Sequence, residues 1–261
     1  MSSSSDHQEY DENFVGALEV IWGEGYLSPG GKEEVVLVVG DQDLQNKTIL
    51  DIGCGSGGID KLLVNHFQAK HVTGIDIDPS LIDRCKKRLS ETEKSKIDYI
   101  FVQPGKLPFE DNSFDVVFTK DSLIHIQDKV SICEEVIRVL KAGGKFIASD
   151  WLKDIGPMTP EMQHYVDLED LGFGMGNIEE YRSALEISGF KDIDFVDRNK
   201  WYCHLAKEEL EKLSGVLYDQ LIEAAGQELG DQQIKIWKAM VVALEQGQLR
   251  PTHWCASKPK D

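Results

Sequence analysis

A doubly wound, mostly parallel α/β sheet is the fold this sequence predicts, on three observations. Short apolar runs alternate with helical stretches from residue 47 to residue 150, the rhythm of parallel strands joined by helices. A glycine-rich turn, Gly53-Cys54-Gly55-Ser56-Gly57-Gly58, lies directly between the first strand and the helix after it. An aspartate, Asp76, ends the second strand.

The elements follow in order. Phe14, Ala17, Leu18, Ile21 and Trp22 recur at helical period and predict a helix from Tyr10 to Glu24. Gly25 and Ser28-Pro29-Gly30-Gly31 break it, and Lys32 to Val39 predicts a second helix. Thr48 to Ile52 is the first strand, with a helix through Leu62 and Leu63 after the glycines. His71 to Asp76 is the second strand, Ser80 to Leu89 a helix, Tyr99 to Val102 the third strand and Asp115 to Thr119 the fourth. Val130 to Leu140 predicts a helix closed by Gly143-Gly144, and Lys145 to Asp150 the fifth strand. Thr159-Pro160 supplies an N-cap hydroxyl and a first-turn proline for a further helix. Asn177-Ile178-Glu179-Glu180 reads as a capping box. Lys191 to Trp201 predicts a sixth strand, Glu208 to Gln246 one or two amphipathic helices, and His253 to Lys258 a last strand.

Composition narrows the function. The 261 residues are 41% hydrophobic and 28% charged, a globular balance. No apolar run reaches the ~20 residues of a spanning helix, and Met1 to Asp6 lacks the features of a secretory signal. With 28 basic and 46 acidic residues the net charge is −18, which argues against nucleic acid and against an anionic membrane surface. Cys54, Cys85, Cys133, Cys203 and Cys255 form no Cys-x-x-Cys pair, and the histidines form no His-x-x-x-His turn. Neither a metal site nor a disulfide framework is expected. A cytoplasmic protein, monomeric or weakly dimeric, is the expectation.

The glycine turn carries the chemistry. Gly53-x-Gly55-x-x-Gly58 between a strand and a helix fits nucleotide binding, where a Cβ would collide with a close ligand. Asp76, 25 residues after Asp51, can accept the hydroxyl protons of a ribose. The plainer alternative is a turn that serves packing alone.

The run Ile49-Leu50-Asp51-Ile52-Gly53-Cys54-Gly55-Ser56-Gly57-Gly58 resembles the first motif of class I S-adenosylmethionine-dependent methyltransferases. Gly74-Ile75-Asp76-Ile77-Asp78, Asp115-Val116-Val117-Phe118 and Leu140-Lys141-Ala142-Gly143-Gly144-Lys145 resemble the later ones. The resemblance implies a seven-stranded Rossmann-like sheet and S-adenosylmethionine as cofactor, leaving as S-adenosylhomocysteine, with no metal. It assigns Asp51, Gly53, Cys54, Gly55, Gly57, Asp76, Ile77, Gly105, Lys106 and Lys120 to the donor. Asp51 would face the donor's methionine end, and Gly105, Lys106 or Gln103 would serve the adenine. The other-class alternative is an NAD-binding oxidoreductase, but Asp51 would repel a pyrophosphate, which prefers a bare helix N-terminus.

Glu9-Tyr10 and Tyr26-Leu27-Ser28-Pro29-Gly30-Gly31 resemble the opening of phosphoethanolamine N-methyltransferases, and Lys120-Asp121-Ser122-Leu123-Ile124-His125 resembles their segment after the fourth strand. The resemblance implies catalytic Tyr10, His125 and Asp121. It implies substrate contacts from Glu9, Tyr26, Ser28, Trp151, Tyr165 and Tyr181. Residues 1–45 would form a helical cap over the active site, 46–261 the donor-binding domain, and about 152–178 a substrate lid. A histidine can take the proton that an alkylammonium must lose before its nitrogen attacks. Aromatic faces of Tyr10, Tyr26 or Trp151 suit a methylated ammonium.

Plainer readings compete: His125 capping or packing beneath the sheet, Tyr10 as a core aromatic, Asp121 as a helix N-cap. The insertion Tyr165 to Gly174 is acidic, and Lys120 stands where that family carries Arg. Lys235, Lys238, Arg250 and Tyr181 are the remaining candidate ligands for a phosphate. The acceptor alternatives are glycine, sarcosine and dimethylglycine, or another small metabolite.

Overall fold

The computed structural model describes residues 12–169 and 174–260. Its frame is a seven-stranded sheet: β1 (Thr48–Ile52), β2 (His71–Asp76), β3 (Ile97–Phe101), β4 (Phe114–Lys120), β5 (Leu140–Lys153), β6 (Lys191–Asp197) and β7 (Leu249–Ser257), in the order β3-β2-β1-β4-β5-β7-β6. The first five run parallel, and β7 pairs antiparallel with both β5 and β6.

Successive residues of a strand face opposite sides, so each central strand feeds two cores. Leu50, Val117 and Phe146 pack on one face with α5 (Lys129–Val139) and α7 (Ile178–Ile187). Ile49, Val116 and Ile147 pack on the other with α2 (Gly31–Val39), α3 (Gly58–Asn65) and α4 (Pro79–Lys87). Apolar residues on both faces explain why these strands read as continuous hydrophobic runs.

A third core is mostly helical, with Trp151 and Leu249 added from the sheet. It joins α1 (Glu12–Trp22), α6 (Pro160–Glu169), α8 (Asn199–Leu213), α9 (Tyr218–Ala225) and α10 (Gln227–Glu245) through Leu18, Met162, Tyr202, Leu221 and Trp237. The N-terminal stretch is thus split, with α1 in this cap and α2 against the sheet.

Three expectations change. Gly143-Gly144 does not close the preceding helix, which ends at Val139; β5 begins at Leu140, and the glycines lie within it where its register with β4 shifts. A Cβ on Gly144 would stand 3.0 Å from the Asp115 carbonyl oxygen. The sixth strand stops at Asp197, whose carboxylate accepts the Asn199 N–H at 2.7 Å as α8 begins, so Trp201 is helical. The region read as one or two helices holds three, and Gly226, at φ 81°, parts α9 from α10. A second helical insertion therefore lies between β6 and β7. The capping box is present: Asn177 accepts the N–H groups of Glu179 and Glu180, and Glu180 accepts that of Asn177.

Candidate active site

Strand order reverses between β1 and β4, and at their C-terminal ends opens a cavity of about 1240 Å³. Ligands of open α/β sheets bind at such a switch point. Gly53, Cys54, Gly55, Asp76, Ile77, Gly105 and Lys106 form one part of its wall; Tyr26, Ser28, Lys120, Asp121, Ser122 and His125 form another.

Packing shapes the glycine turn. A Cβ on Gly57 would meet the Tyr99 hydroxyl at 2.4 Å, and one on Gly58 the Gly25 carbonyl oxygen at 2.6 Å. The Gly58 N–H donates to that oxygen at 3.0 Å, so the N-terminal segment lies directly on the turn. Glu19 holds the same segment to α4. Its carboxylate accepts the Gly25 N–H and pairs with Arg88 and Arg84. Burial pushes the Glu19 pKa up, but the Arg88 bond and its neighbours outweigh it and leave it lowered.

Asp76 ends β2. Its two oxygens accept the N–H groups of Gly55 and Asp78, each at 3.0 Å, and it stands on the wall. Burial raises its pKa. Asp51 does not reach the wall: it is fully buried behind the turn, as is Asp60 of α3. The two carboxylates lie against each other, and the Tyr99 hydroxyl stands beside Asp60. Burial takes Asp51 to about 7, and burial with the Asp51 charge holds Asp60 well above the ordinary range. Two such carboxylates cannot both ionise readily. Gly57 also lies off the wall, and close packing accounts for it.

After β4 the chain makes a tight corner. Thr119 and Ser122 hydroxyls both donate to the Ile52 carbonyl at 2.8 Å, tying β4 to β1. Asp121 follows at φ 56°, an uncommon conformation for a residue with a side chain. Its N–H donates to the Ser149 carbonyl at 2.8 Å. The cap of the next helix is Asp128, which accepts the Ser131 N–H at 3.0 Å, so Asp121 is not an N-cap. His125 sits in the single turn Leu123–His125, half-buried on the cavity wall rather than beneath the sheet.

Lys120 binds the two segments together. Its Nζ donates to Ser28 Oγ at 2.8 Å, to the Pro29 carbonyl at 3.1 Å and to Asp121 Oδ2 at 2.5 Å. An ammonium has three N–H donors, and all three are engaged.

Several expected residues stand elsewhere. Trp151 packs against the edge of Tyr202, with centroids 5.2 Å apart. Tyr181 is a core residue that donates to Asp150 and packs on Trp254. Tyr165 is buried behind Asp121, where burial and the neighbouring Glu169 push its phenol up. Lys235 and Lys238 are exposed on α10, and Arg250 is paired with Asp154 and Asp197. Tyr10 and Glu9 lie outside the described residues. Among the described residues no cluster of His, Cys, Asp and Glu suits a metal, and no helix is long and apolar enough to cross a membrane.

Sequence reasoning did not single out Ser122, which lines the cavity. The paired hydroxyls of Thr119 and Ser122, three residues apart, were a usable signal.

Comparison with known proteins fits this geometry. Residues 50–148 match the methyltransferase domain family. A phosphoethanolamine N-methyltransferase of Zea mays is 30% identical over 97% of this chain and 50% of its own length. The chain spans about half the length of the plant relatives it matches. Among solved structures, a Haemonchus contortus phosphoethanolamine N-methyltransferase, in complex with phosphomonomethylethanolamine and S-adenosylhomocysteine, superposes with a TM-score of 0.89 at 24% identity. It covers 97% of this chain and 59% of that one. A putative sarcosine dimethylglycine methyltransferase from Galdieria sulphuraria reaches 0.83 at 20% identity, covering 96% and 98%. At these identities the structures speak for the fold. With residues 50–148 matching the methyltransferase domain family, a glycine turn under Asp76 and a cavity at the switch point, the chain has the fold of these methyltransferases and resembles the phosphoethanolamine N-methyltransferases.

Proposed function

We propose that this chain transfers a methyl group from S-adenosylmethionine to the nitrogen of a small amine. Phosphoethanolamine and its methylated forms are the acceptors that its relatives' names support. The observation that carries the proposal is the single cavity that joins Asp76 to Asp121 and His125.

The residues present suit the cofactor. Asp76 offers carboxylate oxygens already oriented by two backbone N–H groups. The Asp51–Asp60 pair behind the turn gives negative charge, which suits a cationic sulfonium and ammonium better than a pyrophosphate. When bound, S-adenosylmethionine supplies an electrophilic methyl group and departs as S-adenosylhomocysteine.

The chain does the rest. Asp76 binds ribose hydroxyls, Ile77 gives an apolar face for the adenine, and Gly105 and Lys106 border it. Asp121 draws the acceptor's ammonium to the wall by charge, with Ser28 and Tyr26 beside it. His125 takes the proton that frees the nitrogen lone pair, and Tyr10 orients that nitrogen. Alignment at near-attack distance is worth about 7–11 kcal/mol, so most of the rate comes from position. Residues 1–45 and about 152–178 act as cap and lid. The protein works as a cytoplasmic monomer or weak homodimer, in keeping with five unpaired thiols and an acidic surface.

The test is methyl transfer from labelled S-adenosylmethionine to phosphoethanolamine, its mono- and dimethyl forms, glycine, sarcosine and dimethylglycine, with products resolved by mass. Saturable transfer to an amine of the panel is expected. S-adenosylhomocysteine at about 100 times its Kd is expected to stabilise the fold by roughly 2.7 kcal/mol, and NAD to leave it unchanged. Stabilisation by NAD instead would overturn the cofactor assignment.

A further inference from the structure

Tyr202 of α8 is 1% exposed, and its hydroxyl has no hydrogen-bond partner. A buried polar group left so is rare and calls for a cause. The phenol faces Asp121 and Ser149, and its ring is fixed from two sides by Trp151 and Trp201, at 5.2 and 4.8 Å between centroids.

Asp121 is incomplete on the same side. Its Oδ2 takes the Lys120 ammonium, whereas its Oδ1 has Ser149 Oγ at 3.4 Å, close to the limit for a hydrogen bond. Ser149 thus stands between a weakly satisfied carboxylate oxygen and the Tyr202 hydroxyl, behind the wall of the cavity. A phenylalanine would fill the core position without burying that hydroxyl, so packing does not account for the tyrosine.

We propose, on the reading that the chain methylates a small amine, that Tyr202 is a positioning residue. Its hydroxyl donates to Asp121 when the acceptor binds, and so fixes the carboxylate against the amine. The acceptor's ammonium draws Asp121 into place, the Tyr202 O–H completes the network with Ser149, and no bond to the donor is involved. Burial and the neighbouring Asp121 charge push the phenol well up, so it stays a proton donor throughout the working range. A tyrosine on the second insertion, between β6 and β7, then acts on a residue that follows β4.

The test is Tyr202→Phe in the full chain, with the best acceptor of the amine panel. The variant is expected to melt at the same temperature or higher, because it loses an unsatisfied buried group. Its Kd for S-adenosylmethionine is expected to stay within about twofold and its acceptor KM to rise roughly tenfold, the scale of one lost hydrogen bond to a charged group. Unchanged acceptor KM, or a lower melting temperature with a proportional loss of donor binding, would overturn the proposal. A wild-type protein silent toward every amine while still binding the donor would instead sink the amine reading, and this role for Tyr202 with it.

Discussion

Lys120 and Asp121 offer a cycle in which stability and turnover separate. Their side chains are 1% and 5% exposed and 2.5 Å apart. In Lys120→Met the Asp121 carboxylate keeps its burial and loses its counter-charge, and the Pro29 carbonyl and Ser28 hydroxyl lose a donor. Removing one partner of a buried pair costs about 3–5 kcal/mol. For a chain of this size that is a fall of roughly 6–20 °C in Tm. Asp121→Asn added to it removes the stranded charge, and replacing both partners of a buried pair is close to neutral. The double variant is therefore expected within about 2 kcal/mol of wild type, by the same accounting. Turnover is expected to stay lost, because Asp121 is the group proposed to meet the acceptor. Urea unfolding and the labelled-methyl assay measure the two quantities on the same samples. A single variant that loses less than about 1 kcal/mol, the scale of an exposed pair, would show that solvent reaches this pair and that Lys120 does not hold the N-terminal segment.

Three further outcomes follow from the geometry. Gly58→Ala puts a Cβ 2.6 Å from the Gly25 oxygen; overpacking of this kind costs about 1–3 kcal/mol, and calorimetry is expected to show weaker S-adenosylmethionine binding as the segment lifts from the turn. Asp76→Ala removes the acceptor of two backbone N–H groups and the proposed acceptor of the ribose, and donor affinity is expected to fall by roughly 2–4 kcal/mol, as for a lost charged hydrogen-bond partner. Glu34 is fully buried against His253 and Arg198. Burial raises its pKa, but the bonds from His253 and Arg198 outweigh it and leave it lowered. A lowered carboxylate contributes stability that is fully present above its ordinary value and lost as pH falls through its folded one. Denaturation of Glu34→Gln against wild type is thus expected to show a deficit at neutral pH that shrinks below about pH 4.

The legibility of this chain follows the range of the interactions. The glycine turn, Asp76 and the parallel strands are local or nearly so. A turn between a strand and a helix must be glycine-rich when Tyr99 and Gly25 crowd it, and both faces of β1 and β4 must be apolar when helices cover both. Those demands are written in consecutive residues. Gly143-Gly144 misled because the same glycine pair that ends a helix also permits a bulge, and only pairing with β4 distinguishes the two.

The acceptor side depends on meetings across the whole chain. Lys120 reaches Ser28 and Pro29, Glu34 reaches Arg198 and His253, and Tyr202 faces Asp121. Each partner alone looks ordinary: a lysine beside an aspartate, a tyrosine at core spacing in a helix. Tyr181 shows the converse, since an aromatic in the expected segment bonds Asp150 within the core. On the proposed function, donor chemistry is set by one contiguous βαβ unit, whereas acceptor chemistry is set where the N-terminal segment, the corner after β4 and the second helical insertion meet. On that reading, substitutions among those three change the amine that is accepted while the glycine turn stays as it is.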